Sequence, residues 1–313
     1  GTVTLGNATL SPTVTYAAQP YERFTIINNL SAGAVVGTFG GLPEGSVINV
    51  AGVRLRVSYI EFHNPSSVPP TPGSFYRNGN DVSLTVMTPP ILVTQGVNGD
   101  LTLDGTGWND DITLSFTGTN QLTLIGNDVS NFSGPLTTNV QLAGPYTVTG
   151  NIIIKLGNGK DKVLIRGVGP NATYDSGNLS IDLGSDDDAV TTIDNALVPI
   201  ITTGLRMTGS LNIVGGAGVD DVTLGSNTAT DTLTALNVSI DTGTGAGAQT
   251  ISLDRLTANG NVTLANGGSG AQTVALGANI SNAPNSIQGN LIINQLAAAT
   301  SFTVGVHNTS VGG

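Results

Sequence analysis

From about Gly99 onward the apolar positions alternate in short runs, and the runs come in pairs. DLTLDGTGWNDDITLSF begins at Asp100, NIIIKLGNGKDKVLI at Asn151, NLSIDLGSDDDAVTTI at Asn178, SLNIVGGAGVDDVTLG at Ser210, LNVSIDTGTGAGAQTISL at Leu236 and NVTLANGGSGAQTVAL at Asn261. A weaker copy, NLIINQLAAATSFTVG, begins at Asn290. Alternation with period two marks half-buried strands, and the Gly/Asp/Asn cluster inside each copy marks a tight turn. A third, weaker strand is expected between copies, at YTVTG before Asn151 and within LVPIITTGLRMTG before Ser210. Copies every ~25–32 residues signal a stacked-repeat architecture. Three short strands per repeat predict one coil of a right-handed parallel β-helix, the hand following from the rule for parallel crossovers. Leu211, Ile213, Val222 and Leu224 are expected to point inward and stack on their equivalents in neighbouring coils, since one coil cannot bury that face alone. TLTALN near Thr232 is the one short helical candidate.

The first part of the chain has a different pattern. FTIINN, GSVINVAG, VRLRVSYIEF and NDVSLTVM alternate as strands, with turns at GGLPEGS and NGND. Residues 64–73, NPSSVPPTPG, hold four prolines and are expected to form a stiff extended loop. Eight of the 14 aromatic residues precede Asn78, which implies a separate core. The chain is therefore divided into a β-rich cap, or end of a preceding module, at 1–95 and a repeat body at 96–313. The join lies in the stretch from Met87 to Gly99, where Pro89 and Pro90 cannot donate to a strand ladder.

Composition narrows the function classes. Only 10% of the 313 residues are charged, yet 39% are hydrophobic, which argues against disorder. The net charge of -11 argues against a nucleic-acid partner, which needs a basic stripe, and against a polybasic membrane contact. No apolar run approaches the ~20 residues of a spanning helix. Cysteine is absent, so stability must come from stacking rather than cross-links. No leader pattern opens the chain, and Gly1 is read as the start of a processed or excised piece. A cysteine-free, acidic, Thr/Asn/Gly-rich chain is typical of bacterial surface proteins, which gives an extracellular or cell-surface location.

FTIINNLSAGAVVGTFGGLPEGSVINVAG, followed by LRVSY and GNDVSLTV, resembles the cap of β-helical regions in autotransporter-associated β-strand-repeat proteins and the giant surface proteins of planctomycete-type bacteria. The match covers about Phe24 to Val86; its most specific elements are Gly37-Thr38-Phe39, Leu42-Pro43-Glu44-Gly45 and Gly79-Asn80-Asp81-Val82. The proline stretch stands where the family has a short glycine turn. The resemblance implies an extracellular, non-catalytic, adhesive or scaffolding protein. In that family the cap closes the carboxyl end of a solenoid; here it comes first, as in a slice across two modules.

GGAGVDDVT, from Gly215 to Thr223, fits the calcium-roll pattern GGxGxDxUx, with degenerate copies at LGNGKDKVL and GSDDDAVTT. Calcium is thus the candidate ion, with Asp186, Asp187, Asp188, Asp220 and Asp221 as ligands if stacking brings the turns into one column. The copies lie a whole repeat apart rather than nine residues apart, so a Gly/Asp turn is the simpler reading. Lys155, Lys160, Lys162 and Arg166 form the one basic cluster; beside acidic turns it permits a polysaccharide-degrading enzyme, but outward charge pairing with Asp182 or Asp188 explains it more simply. His63 and His307 are far apart and lack ligand spacing. Trp108, in the turn GTGWNDD, is a candidate sugar-stacking residue, although a turn tryptophan tucked against the next loop is the simpler reading. Sequons at Asn7, Asn131, Asn171, Asn178, Asn237 and Asn261 are expected by chance in so Asn/Thr-rich a chain.

The sequence is therefore read as a non-enzymatic extracellular structural module of a bacterial surface or fibre protein that needs no cofactor. Its expected partners are copies of itself, joined head to tail, or neighbouring modules of a longer chain. The strand-like Thr2, Val3, Thr4 and Leu5 would cover the open end at Leu291, Ile293, Phe302 and Val304 of the next copy, since uncovered strand edges invite pairing. The alternatives are a carbohydrate-binding or adhesive module contacting surface glycans, and a β-helical polysaccharide-degrading enzyme.

Overall fold

The structure is a computed structural model that describes residues 2–16, 18–20, 22–30, 33–61, 80–127, 130, 132–134, 137–140, 142–168, 172–192, 204–225, 232–277, 284–296, 298–307 and 309–312. Every regular element among them is a strand. The chain divides into two compact units, Gly1–Pro89 and Pro90–Gly313. The division precedes residue 95 because the strand Ile91–Gln95 is held in the second unit by Leu101–Asp104.

The first unit is a four-stranded sheet in the order Arg23–Ile27, Asp81–Val86, Val53–Glu61, Val47–Val50, with every pair antiparallel. These are the four strands expected from alternation. All six residues of Asp81–Val86 are buried. The core gathers Phe39, Leu55, Val57, Tyr59, Val82, Leu84 and Val86, with Leu5, Leu10 and Phe24 packed against it. Motif residues close the turns over it. The Tyr59 hydroxyl donates to Leu42 O at 2.6 Å and accepts from Phe39 N at 3.0 Å. Glu44 accepts from Ser58 Oγ at 2.8 Å and Tyr59 N at 2.6 Å, and Asp81 accepts from Asn29 N at 2.7 Å. The proline loop at 64–73 and His63 lie outside the described residues.

The second unit is built from three sheets of ten, nine and six strands. From Ile152 onward the chain visits them in fixed rotation. Ile152–Lys155 lies in the first sheet, Lys162–Gly167 in the second and Thr173–Tyr174 in the third. The circuit then repeats through to Leu291–Gln295, Ser301–Val306 and Thr309–Val311. Within each sheet, successive circuits pair in parallel with matched register: Leu179 faces Leu211, Val222 faces Ile251, and Leu233 faces Leu256. One hydrophobic core runs through all three sheets, and Leu211, Ile213, Val222 and Leu224 are in it, each at most 1% exposed. Period-two alternation thus places one face of every strand on a shared interior.

Two local expectations are corrected. TLTALN contributes the strand Leu233–Ala235 and no helix, because its Leu233 and Ala235 alternate into the third sheet. YTVTG is not a third-sheet strand: Tyr146 and Thr147 end Leu142–Thr147, which runs antiparallel to Gln121–Gly126. The reason is the length of the first repeat. From Asp100 to Asn151 is 51 residues, against 27 between Asn151 and Asn178. The surplus folds back as antiparallel strands, Gln121–Gly126 on Asp111–Gly118 and Leu142–Thr147 on Gln121–Gly126, and before the repeat Ile91–Gln95 lies antiparallel on Leu101–Asp104. They bury Phe116, Phe132 and Tyr146, among the largest fully buried side chains. The stack is thereby covered at its first circuit by its own strands.

The turns between first-sheet and second-sheet strands stack as closely as the strands do. Gly184 has a φ of 96°, and a Cβ there would stand 1.8 Å from Gly157 O. Only glycine permits both that conformation and that approach.

Candidate functional site

Two polar ladders run along the second unit, one at each end of the first-sheet strands. The first begins just before each strand. Asp100 Oδ1 accepts from Asn151 N at 2.5 Å, Asn151 Oδ1 from Asn178 N at 3.0 Å, and Asn178 Oδ1 from Ser210 N at 2.8 Å. It resumes with Asn237 Oδ1 accepting from Asn261 N and Asn261 Oδ1 from Asn290 N, both at 2.8 Å. Each side chain thus satisfies an amide one circuit away, which a turning backbone would otherwise leave open. The sequons at Asn178, Asn237 and Asn261 are members of this ladder; those at Asn131 and Asn171 lie outside the described residues.

The second ladder lies where each turn enters the second sheet, and it is made of buried acids. Asp110 N donates to Asp161 Oδ1 at 2.7 Å, Asp161 N to Asp188 Oδ1 at 2.8 Å, and Asp188 N to Asp220 Oδ1 at 3.1 Å. Asp110, Asp161 and Asp220 are fully buried, and Asp188 is 3% exposed. Thr106 N and its Oγ1 donate to Asp110 at 2.7 and 3.2 Å. The Oδ2 atoms of Asp161, Asp188 and Asp220 are buried without a hydrogen-bond partner. Removal from water pushes Asp161 up to about 9 and Asp188 up to about 8, reinforced by neighbouring carboxylates. Burial raises Asp110 and Asp220 to about 6.

The ladder changes chemistry after Asp220. Gln249 is fully buried; its Oε1 accepts from Thr242 Oγ1 at 3.0 Å and its Nε2 donates to Gly218 O at 2.9 Å. Gln272 is 1% exposed, and its Nε2 donates to Gly247 O at 3.3 Å. Gln249 pairs in register with Gln272, and Gln272 with Phe302. The uncharged amides donate here to backbone carbonyls, which an acid does only when protonated.

The five aspartates singled out for calcium are divided by this geometry. Asp188 and Asp220 are in the buried ladder. Asp186 is exposed in the turn with a φ of 86°, accepting from Gly159 N at 3.1 Å. Asp187 is exposed, bound to Lys160 Nζ at 2.6 Å and accepting from Val219 N at 3.1 Å; the Lys160 hydrogen bond holds its carboxyl below the usual range. Asp221 is exposed on a strand. Among the described residues no group of three or more His, Cys, Asp or Glu is arranged to hold a metal ion. Of the basic cluster, Lys160 pairs with Asp187 rather than Asp188, and Lys155 stands in register beside Asp182. Lys155 and Lys162 are exposed, and Arg166 Nε donates to Ser115 Oγ at 3.4 Å.

Trp108 is 38% exposed at the first turn of the stack, where its backbone is held to Thr106 Oγ1 at 3.1 Å. The residues expected at the assembly ends behave differently from one another. Leu5 packs on the core of the first unit, and the segment is anchored there by Leu5 N to Val36 O at 2.9 Å and Val36 N to Val3 O at 2.8 Å. Thr4 bridges Val36, and Thr2 is exposed. Leu291 and Ile293 are partly buried against the long core, while Phe302 and Val304 are 39% and 42% exposed.

Sequence reasoning missed Asp110, Asp161, Gln249 and Gln272 as one column, and the asparagines as another. The signal was present: an acid stands immediately before the second strand in WNDDITL, GKDKVLI, DDDAVTT and VDDVTL. Aligning the repeats on that strand would have found it.

No protein-family model, no curated protein and no solved structure matches the chain.

Proposed function

We propose that the chain is an extracellular structural module of a bacterial surface or fibre protein, in which the second unit winds as a right-handed parallel β-helix and acts as a stiff, protease-resistant element. The observation that carries this reading is the fixed rotation of strands from Ile152–Lys155 to Thr309–Val311 through three sheets, paired in parallel over that span, around one aliphatic core. Its inward side chains are worth roughly 1.5–3 kcal/mol each on burial, and two side-chain ladders bind circuit to circuit. Such a stack resists local opening because each strand inside a sheet is held on both edges by its neighbours. The job requires no cofactor or catalytic residue. Limited proteolysis tests it: the second unit survives trypsin and proteinase K as one fragment, and negative-stain images show a short rod. Rapid internal cleavage between Ile152 and Gly277, or a globular particle, would remove the reading.

Trp108 favours adhesion as a second reading, since a half-exposed indole on a rigid turn can stack on a sugar ring. A glycan array probed with the native chain and with Trp108→Ala decides it; equal signals from the two end that reading.

A further inference from the structure

The buried acids lie beneath the turns they close. A Cβ on Gly105 would stand 2.8 Å from Asp110 Oδ2, and one on Gly215 would stand 2.4 Å from Asp220 Oδ2. Gly105 and Gly215 each follow a first-sheet strand, while Asp110 and Asp220 each precede a second-sheet strand. The carboxyl therefore reaches from the end of its turn back to the start. In Asp110 that reach is a hydrogen bond, from Thr106 N to Oδ2 at 2.7 Å. In Asp161, Asp188 and Asp220 the same atom is buried with no partner among the described residues.

The glutamines show what the position asks for. Asp221 and Thr250 are in register, so Gln249 succeeds Asp220 in the column. Its Nε2 donates to Thr242 O at 3.1 Å and to Gly218 O at 2.9 Å, one carbonyl of its own turn and one of the turn before. Gln272 donates to Gly247 O, also in the preceding turn. A side chain beneath these turns meets carbonyl oxygens and is matched by a donor. A carboxylic acid is a donor and a carboxylate is not.

Neighbouring charges favour the acid form of the inner pair. Asp161 faces Asp110, Asp186 and Asp188, and Asp188 faces Asp186, Asp187 and Asp220. Lys160 is the one cation in these turns, and Asp187 holds it at 2.6 Å. On the flanking strands, Asp104, Lys155 and Asp182 end the first-sheet strands, and Asp111, Lys162 and Asp221 begin the second-sheet ones, all outside the buried row. Burial first, and then these carboxylates, push Asp161 up to about 9 and Asp188 up to about 8.

We propose that the ladder is a pH-sensitive latch: the turns of the Asp161 and Asp188 circuits stay closed while those acids keep their protons, and alkali opens them locally, leaving the Gln249 and Gln272 circuits shut. The latch depends on the stacked turns and not on where the module acts. Ionised in place, the two carboxyls would be like charges in a dry row beside carbonyl oxygens, which is costly. Opening the turns returns them to water. It also releases a proton from each, so the opening constant rises about tenfold per pH unit for each proton released and levels off above the folded-state values.

Trp108 is the single tryptophan and lies two residues before Asp110. A Cβ on Gly159, in the Asp161 turn, would stand 2.5 Å from Trp108 C, so the two turns are in close contact there. Its emission therefore reports the latch. Titrated from pH 5 to pH 9.5 in a chelating buffer, it is expected to shift to longer wavelength while far-UV circular dichroism keeps its strand signal. The Asp161→Asn/Asp188→Asn variant, whose amides can donate as the glutamines do, is expected to show no shift. Hydrogen exchange of the native chain needs no variant. Corrected for the intrinsic rate, it is expected to rise with pH over 156–161 and 183–188 and to stay level from Val262 to Leu276. An emission unmoved across the range, an equal shift in the double variant, a loss of strand signal along with the shift, or exchange rising equally in the glutamine circuits would each overturn the proposal.

Discussion

The backbone amide of Asp161 donates to Oδ1 of Asp188 at 2.8 Å, one circuit further along the stack, and both side chains are buried. Parallel strands stand roughly 4.8 Å apart, so a row of acids at this position is a row of mutually close carboxyls. Burial pushes Asp161 up to about 9 and Asp188 up to about 8, so these two central members keep their protons near neutral pH, while Asp110 and Asp220 are raised only to about 6. That places a pH-dependent element inside a structure otherwise held by aliphatic burial.

The first prediction follows by linkage. The folded-state values of about 9 for Asp161 and about 8 for Asp188 lie above that of an unfolded aspartate, about 3.9. Between those limits the native state binds more protons than the unfolded state, so stability falls as pH rises. The groups around them are Asp110, Asp186, Asp187 and Asp220, with Lys160 engaged by Asp187. Asp100 and Asp187 are lowered by hydrogen bonds and weaken the fold only in stronger acid. Thermal melts should place the highest Tm near pH 4–5, declining toward pH 9; a Tm that climbs over that range contradicts the protonated ladder.

Asp188→Asn separates hydrogen bonding from ionisation. The amide keeps an oxygen for Asp161 N and cannot ionise, so the variant should match the native chain near pH 5 and exceed it at pH 8. Asp188→Ala leaves that buried amide open and should cost about 1–3 kcal/mol near pH 5, with a smaller deficit at pH 8, where the native acid begins to ionise. Urea titrations at the two pH values distinguish them.

Gly184→Ala should be severe. The added carbon would sit 1.8 Å from Gly157 O at a φ of 96°. The left-handed conformation alone costs about 1–2 kcal/mol, and the clash forces two circuits apart. Gly107→Ala, with nothing within 4 Å of the new Cβ, should change stability by less than about 0.5 kcal/mol. Equal urea midpoints for the pair would refute close turn stacking.

Tyr59→Phe should weaken only the first unit. The lost hydroxyl leaves Phe39 N without its acceptor and Leu42 O without its donor, a loss of about 1–3 kcal/mol. Hydrogen exchange resolved by fragment should rise over the four-stranded sheet and stay unchanged from Ile152 to Leu276.

Much of the fold was readable because strand alternation is a local property. Val47–Val50, Asp81–Val86 and Leu211–Val214 each show apolar side chains at every second position, and an all-β chain follows without reference to distant residues. The fate of the 51-residue first repeat was not readable. YTVTG resembles the third-strand segments, and only the partner Gln121–Gly126 sets it antiparallel. The site was half legible. Asp188 and Asp220 stood out as acids in turns, but their neighbours Asp110 and Asp161 lie 51 and 27 residues from the next rung.

The sequence by itself determined strands, turns and the repeat, because a period of two and a glycine at a tight turn act through neighbours along the chain. The tertiary structure decided which aspartates are buried and which face water. Asp187 and Asp188 are adjacent in sequence, yet one pairs with Lys160 at the surface while the other joins the interior ladder. That choice depends on which backbone amides the next circuit brings within reach.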